Sequence, residues 1–180
     1  MLRLFTGLEI PDEIAFDLGF MQGGIPGARW IDKEHFHLTL RFIGDIDEAL
    51  ARDVTDALDG VALKPFHLSL KGIGIFGGKQ PHSLYAGIEE SSELMRLQAL
   101  HERLCQVLGL PAQGRKFVPH VNLARLRNPD QRSLAHYVEL HNLYRSKPFE
   151  VNRFVLFNSR PLRGGGPYGI QEAYSLGARL

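Results

Sequence analysis

The sequence predicts an α+β fold of two pseudo-symmetric lobes. Each lobe is expected to be an antiparallel sheet with helices outside, and an active-site cleft is expected between them. Three observations carry this. Hydrophobic spacing switches repeatedly between the strand and the helix period, in the order strand, helix, strand, helix, two strands, helix, strand, helix, two strands. Helices interrupt paired strands at similar intervals in both halves. Two segments, His37-Leu38-Thr39-Leu40 and His120-Val121-Asn122-Leu123, share one plan of histidine, apolar residue, small hydrogen-bonding residue, apolar residue. The expected unit is one bilobal domain over residues 1–180, each lobe supplying one such strand.

The elements follow in order. Leu2 to Leu8 alternates as a strand, and Pro11 opens a helix from Asp12 to Phe20. Glycines 23, 24 and 27 mark a loop, and Arg29 to Ile31 is a short extended piece. Phe36, Leu38, Leu40 and Phe42 then alternate with His37, Thr39 and Arg41, as in a half-buried strand. Asp45 and Glu48 have capping-box spacing ahead of Leu50, Val54 and Leu58. Two extended runs follow, 65–76 and 83–88. Leu94, Leu97, Leu100, Leu104 and Leu108 form a helical stripe ending at Gly109. The His120 strand, a helix over 129–140, a strand over 149–158, a loop at 164–166 and a last strand over 169–176 complete the chain.

Composition narrows the function. A net charge of +1 argues against a protein that coats nucleic acid, so phosphate binding must be local. The one cysteine, Cys105, cannot form an internal disulfide, and its leucine-rich setting points to burial. No apolar run is long enough to span a membrane, and the first ten residues lack a signal-peptide layout. A cytoplasmic monomer without membrane partners is expected.

In a strand, residues two apart share a face, so each His-x-polar pair presents an imidazole beside a hydrogen-bonding group. Two facing imidazoles can supply an acid and a base to one reaction. His67-Leu68-Ser69-Leu70 has the same plan, so three candidate half-sites compete. Arg125 falls on the apolar parity of the second strand and joins the site only if the strand twists or ends there. No metal centre is expected, because no set of three or four ligands has zinc spacing. Gly72-Ile73-Gly74-Ile75-Phe76-Gly77 matches the bare dinucleotide-binding glycine pattern. It leads into another extended run rather than a helix, so it reads as a hairpin. The segment 160–166 reads as a locally basic loop that could contact a phosphorylated ligand.

With these residues in view, the chain resembles the two-histidine phosphoesterases, and among them the RNA 2′,3′-cyclic phosphodiesterases, or LigT-like 2′-5′ RNA ligases. Arg29-Trp30 with His37-Leu38-Thr39-Leu40-Arg41-Phe42-Ile43-Gly44 is similar to the family's first signature. Phe117-Val118-Pro119-His120-Val121-Asn122-Leu123-Ala124-Arg125 is similar to its second. The resemblance demotes His67. It implies metal-independent, cofactor-free hydrolysis of a terminal 2′,3′-cyclic phosphate on RNA to a 2′-phosphomonoester, with reversible ligation. It implies His37 as proton donor, His120 as proton acceptor, and Thr39, Asn122 and Arg125 as phosphate-binding residues. Asn122 stands where the family usually has threonine or serine. A non-catalytic RNA-end binding module, or a phosphodiesterase for another cyclic or 2′-5′-linked nucleotide, is the alternative. Trp30, Phe42, Phe76 and Tyr168 are candidate base-stacking residues, with core packing the expected place for Phe42 and Phe76. Arg41 and Lys116 are candidate phosphate contacts, and Arg41, Trp30 and Tyr168 are the candidate nucleotide-binding residues.

Overall fold

The computed structural model describes residues 1–159 and 168–177. The loop read at 160–166 therefore lies outside the described residues. The strands are β1 (Leu2–Glu9), β2 (Ala28–Trp30), β3 (His37–Ile46), β4 (Phe66–Leu68), β5 (Leu70–Phe76), β6 (Ser83–Ile88), β7 (His120–Leu126), β8 (Phe149–Val151), β9 (Arg153–Asn158) and β10 (Gly169–Ser175). The helices are α1 (Asp12–Phe20), α2 (Glu48–Asp59), α3 (Ser92–Val107) and α4 (Gln131–His141).

The main sheet runs β10-β9-β1-β3-β7-β6-β5, with β2 also on β7. All its neighbours are antiparallel. Its centre is thin, since Leu38↔Val121 is the one ladder pair joining β3 to β7. That seam divides the sheet into the two expected lobes. With the short β2 and the final β10 set aside, the halves of the chain repeat the order β-α-β-α-β-β, but they are not the lobes. β5 of the first half pairs with β6 of the second, and β9 of the second pairs with β1 of the first. Each half thus lends its last strand to the other lobe.

Helices cover one face only. Helix α3 packs on β3, α2 on α3 and β10, and α4 on β5. The core lies between these helices and the sheet, built from side chains such as Leu4, Leu8, Leu38, Leu84, Leu97, Val121 and Phe154. The other face of the seam carries His37 and His120.

Several boundaries differ from expectation. The cap of α2 is Asp47, whose carboxylate accepts from Leu50 N at 2.8 Å. Asp45 remains within β3, which runs on to Ile46. Asp130 caps α4 in the same way through Ser133 N at 2.9 Å. The runs 65–76 and 149–158 each break in two. Their first pieces, β4 and β8, form a separate two-stranded sheet in which His67 faces Glu150. This pairing takes His67 off the main sheet and ends its rivalry with His37 and His120.

Candidate active site

The seam sets the site. Leu38 and Val121 point together into the core. Their neighbours therefore point together onto the opposite face. Continuing the antiparallel register puts His37 across from Asn122 and Thr39 across from His120. The four side chains form a quartet around a pseudo-twofold axis, with the two histidines on one diagonal. In a regular ladder such diagonal neighbours stand about 7–8 Å apart, which leaves room for one phosphorus between the rings.

Each imidazole is held the same way. Nδ1 of His37 donates to the carbonyl of His35 at 2.9 Å. Nδ1 of His120 donates to the carbonyl of Val118 at 2.7 Å. A proton fixed on Nδ1 leaves Nε2 as the reactive nitrogen of both rings. Behind His37, the Tyr168 hydroxyl donates to the same His35 carbonyl and lies 3.0 Å from His37 Nδ1. Burial pushes that phenol up to about 12, partly offset by the positive charge of Arg125. It stays protonated at neutral pH. Burial lowers the pKa of His37; the His35 carbonyl opposes this, and the charges of His120 and His35 add to the lowering.

Aromatic rings wall the site on both sides. Phe5, Phe157 and Tyr168 surround His37 at centroid distances of 5.1, 5.8 and 4.9 Å. Phe76 and Tyr85 stack on each other at 4.2 Å and meet His120 at 4.8 and 5.5 Å. Tyr85 lies flat only because Gly74 sits beneath it. A Cβ on Gly74 would come within 2.3 Å of the Tyr85 ring. Gly74→Val is expected to cost about 1–3 kcal/mol through overpacking and to push Tyr85 against His120. Thermal melts should show that loss recovered in a Gly74→Val/Tyr85→Ala double variant.

Two bulges decide which further residues face the cleft. On β3, Thr6 pairs with Arg41 and Gly7 with Thr39, so Leu40 is the extra residue. On β7, Leu84 pairs with Ala124 and Tyr85 with Asn122, so Leu123 is the extra residue. The bulges fall at equivalent points of the two signatures. Each reverses the alternation beyond it. On β7 this turns Ala124 into the core and leaves Arg125 exposed on the opposite side. The parity conflict at Arg125 disappears.

The same reversal corrects three expectations. Arg41 does not face the cleft. It is buried, ion-pairs with Glu102, and donates to the carbonyls of Phe42 and Pro111. Phe42, expected in the core, is 58% exposed and touches Phe5 at 5.6 Å. Trp30 pairs with Ala124, so it follows that residue to the helix side and packs on Tyr137 at 5.5 Å. Tyr168 does reach the site, but as a brace on His37. Lys116 lies on an exposed loop, and Phe76 lines the site beside His120. Sequence reasoning missed Phe5, Phe157 and Tyr85 as site walls. The signal for Tyr85 was present, since an aromatic across from a strand glycine has room to lie flat.

Among the described residues, no three histidine, cysteine, aspartate or glutamate side chains cluster as metal ligands do. No helix among them is long and apolar enough to cross a membrane.

Comparison with known proteins agrees with this geometry. The LigT-like phosphoesterase family model matches residues 8–85 and 87–168, each stretch holding one of the two histidine strands. An RNA 2′,3′-cyclic phosphodiesterase of Aquifex aeolicus is 34% identical over 158 residues, covering 83% of this chain and 82% of its own. One from Methanocaldococcus jannaschii is 25% identical over 94% of this chain and 98% of its own. The fold matches that of E. coli LigT complexed with 3′-AMP, at a TM-score of 0.79 and 20% identity over 98% of each chain. The chain belongs to the LigT-like phosphoesterases.

Proposed function

We propose that the protein opens a terminal 2′,3′-cyclic phosphate on RNA to a 2′-phosphomonoester, with His37 and His120 as its acid and base. It is a phosphoric diester hydrolase of the 2′,3′-cyclic phosphodiesterase kind. The observation that carries the assignment is the Leu38↔Val121 pair at the seam, whose register puts His37 and His120 on one diagonal, with both imidazoles held through Nδ1.

An in-line displacement needs a base on the attacking water and an acid on the departing ribose oxygen, on opposite sides of phosphorus. The diagonal supplies this. His120 takes the water proton and His37 gives its proton to the leaving 3′ oxygen. Water oxygen bonds to phosphorus as the P–O3′ bond breaks, and the 2′ ester survives. A lowered pKa suits the donor, because a protonated His37 is then a stronger acid. The negative phosphate, once bound, favours the charged form and loads the proton. Ligation keeps the two roles, with a 5′ hydroxyl in place of water, and the reverse reaction, in which the 3′ hydroxyl attacks a 2′-5′ linkage and the 5′ oxygen leaves, exchanges them.

Charge spreads over the non-bridging oxygens in the transition state. Thr39 and Asn122, on the other diagonal, hydrogen-bond them, and Arg125 adds positive charge. Asn122 Oδ1 is buried and has no hydrogen-bond partner among the described residues. Turned about its side-chain bond, the same amide presents NH₂ to a phosphate oxygen.

The test is incubation of the protein with a nucleoside 2′,3′-cyclic phosphate in EDTA. The expected result is a 2′-monophosphate and no 3′-monophosphate. Binding without any product would favour an RNA-end binding module, the reading that the larger Asn122 in place of a hydroxyl supports. Turnover that stops in EDTA would overturn the metal-free scheme.

A further inference from the structure

We infer that Arg29, with Arg125, forms a second phosphate subsite for the 5′ phosphate of the terminal nucleotide. The inference rests on the reaction proposed above and deepens it, since it names an RNA chain rather than a free cyclic mononucleotide as the preferred substrate.

The observation is a cross-strand pair of like charges. Arg29 of β2 stands directly across from Arg125 of β7. Side chains of such a pair share a face, with Cβ atoms about 5 Å apart. Two guanidiniums in this position repel, and like charges directly opposite destabilise a sheet. Both arginines are exposed, and among the described residues neither makes an ion pair. The next position shows that the arrangement is local. Trp30 across from Ala124 packs into the core, which fixes the short strand β2 and the outward direction of Arg29.

An anion is what such a pair lacks. Arginine binds phosphate through paired parallel hydrogen bonds, and each guanidinium presents a fork of donors. The pair lies on the face that carries the quartet, beyond Asn122, at the end that holds His37. In the proposed mechanism His37 protonates the ribose 3′ oxygen, so the nucleoside lies toward that same end. Arg125 then stands between the reacting phosphate and the phosphate on the ribose 5′ oxygen, and Arg29 flanks it on the outer side. A cyclic mononucleotide with a free 5′ hydroxyl leaves this subsite without its charge partner.

The experiment compares kcat/KM for one nucleoside 2′,3′-cyclic phosphate with and without a 5′ phosphate. The wild-type protein is expected to favour the 5′-phosphorylated form by about tenfold or more, an advantage that shrinks with added salt. Arg29→Ala should lower that ratio toward one. Arg29→Lys should restore part of it, because the charge returns without the fork. Thermal melts show that each variant is folded. A wild-type ratio near one overturns the inference, and so does an Arg29→Ala variant that slows both substrates equally. If neither substrate is turned over by the wild type, the reaction itself is wrong, and that failure is distinct from loss of the ratio.

Discussion

Replacing His37 or His120 by alanine is expected to lower turnover of a 2′,3′-cyclic phosphate by about 10²- to 10⁴-fold each. Both side chains sit outside the helix-side core, and each makes one short-range bond to a carbonyl two residues earlier. The losses should therefore appear in kcat with little change in melting temperature. The double variant should be less impaired than the product of the single effects, because an acid without its base does little. Steady-state assays with a cyclic mononucleotide check all three. Near-normal turnover in both single variants would remove the acid–base pair from the account.

The second large effect concerns stability at low pH. His101 on α3 is fully buried, its Nδ1 2.8 Å from Thr6 Oγ1 and its ring against Phe154 at 4.6 Å. Its Nε2 has no hydrogen-bond partner among the described residues. Burial pushes its pKa down to about 3. In the unfolded chain the same imidazole protonates near 6.5. Between those values the unfolded state binds the extra proton, so stability falls as pH falls. This group alone is expected to remove about 4 kcal/mol from pH 7 to pH 3, a large part of a typical domain's 5–15 kcal/mol. Urea unfolding at a series of pH values measures it. A Thr6→Val/His101→Phe variant, which removes both polar partners together, should lose most of that slope. A double variant as acid-sensitive as wild type would show that other groups control acid unfolding.

His101 also marks a limit of sequence reading. The leucine stripe on α3 suggested Leu100 and Leu104 as core positions, but the helix buries Leu94, Leu97, His101 and Cys105. What turns it is a hydroxyl on another strand, Thr6, ninety-five positions away in sequence. Nothing local to α3 records that partner. The two histidine strands were legible because strand parity alone puts His37 beside Thr39 and His120 beside Asn122. Parity then failed beyond Leu40 and Leu123. A bulge is set by the partner strand, so the sequence of β3 or β7 alone does not show it. One cause thus misplaced Arg41 and Phe42 and left the place of Arg125 open. The exchange of β5 and β9 between lobes is hidden for a related reason. Each is an ordinary strand in its own half, and only its pairing partner reveals the swap.

If both imidazoles act on a single phosphate, histidine side-chain NMR will report it. Titrating a nucleoside 2′-monophosphate, the proposed product, into protein with ¹⁵N-labelled histidine should shift the Nε2 signals of His37 and His120 together, along one binding curve. Movement of only one of the two signals, or two curves with different midpoints, would contradict the shared site.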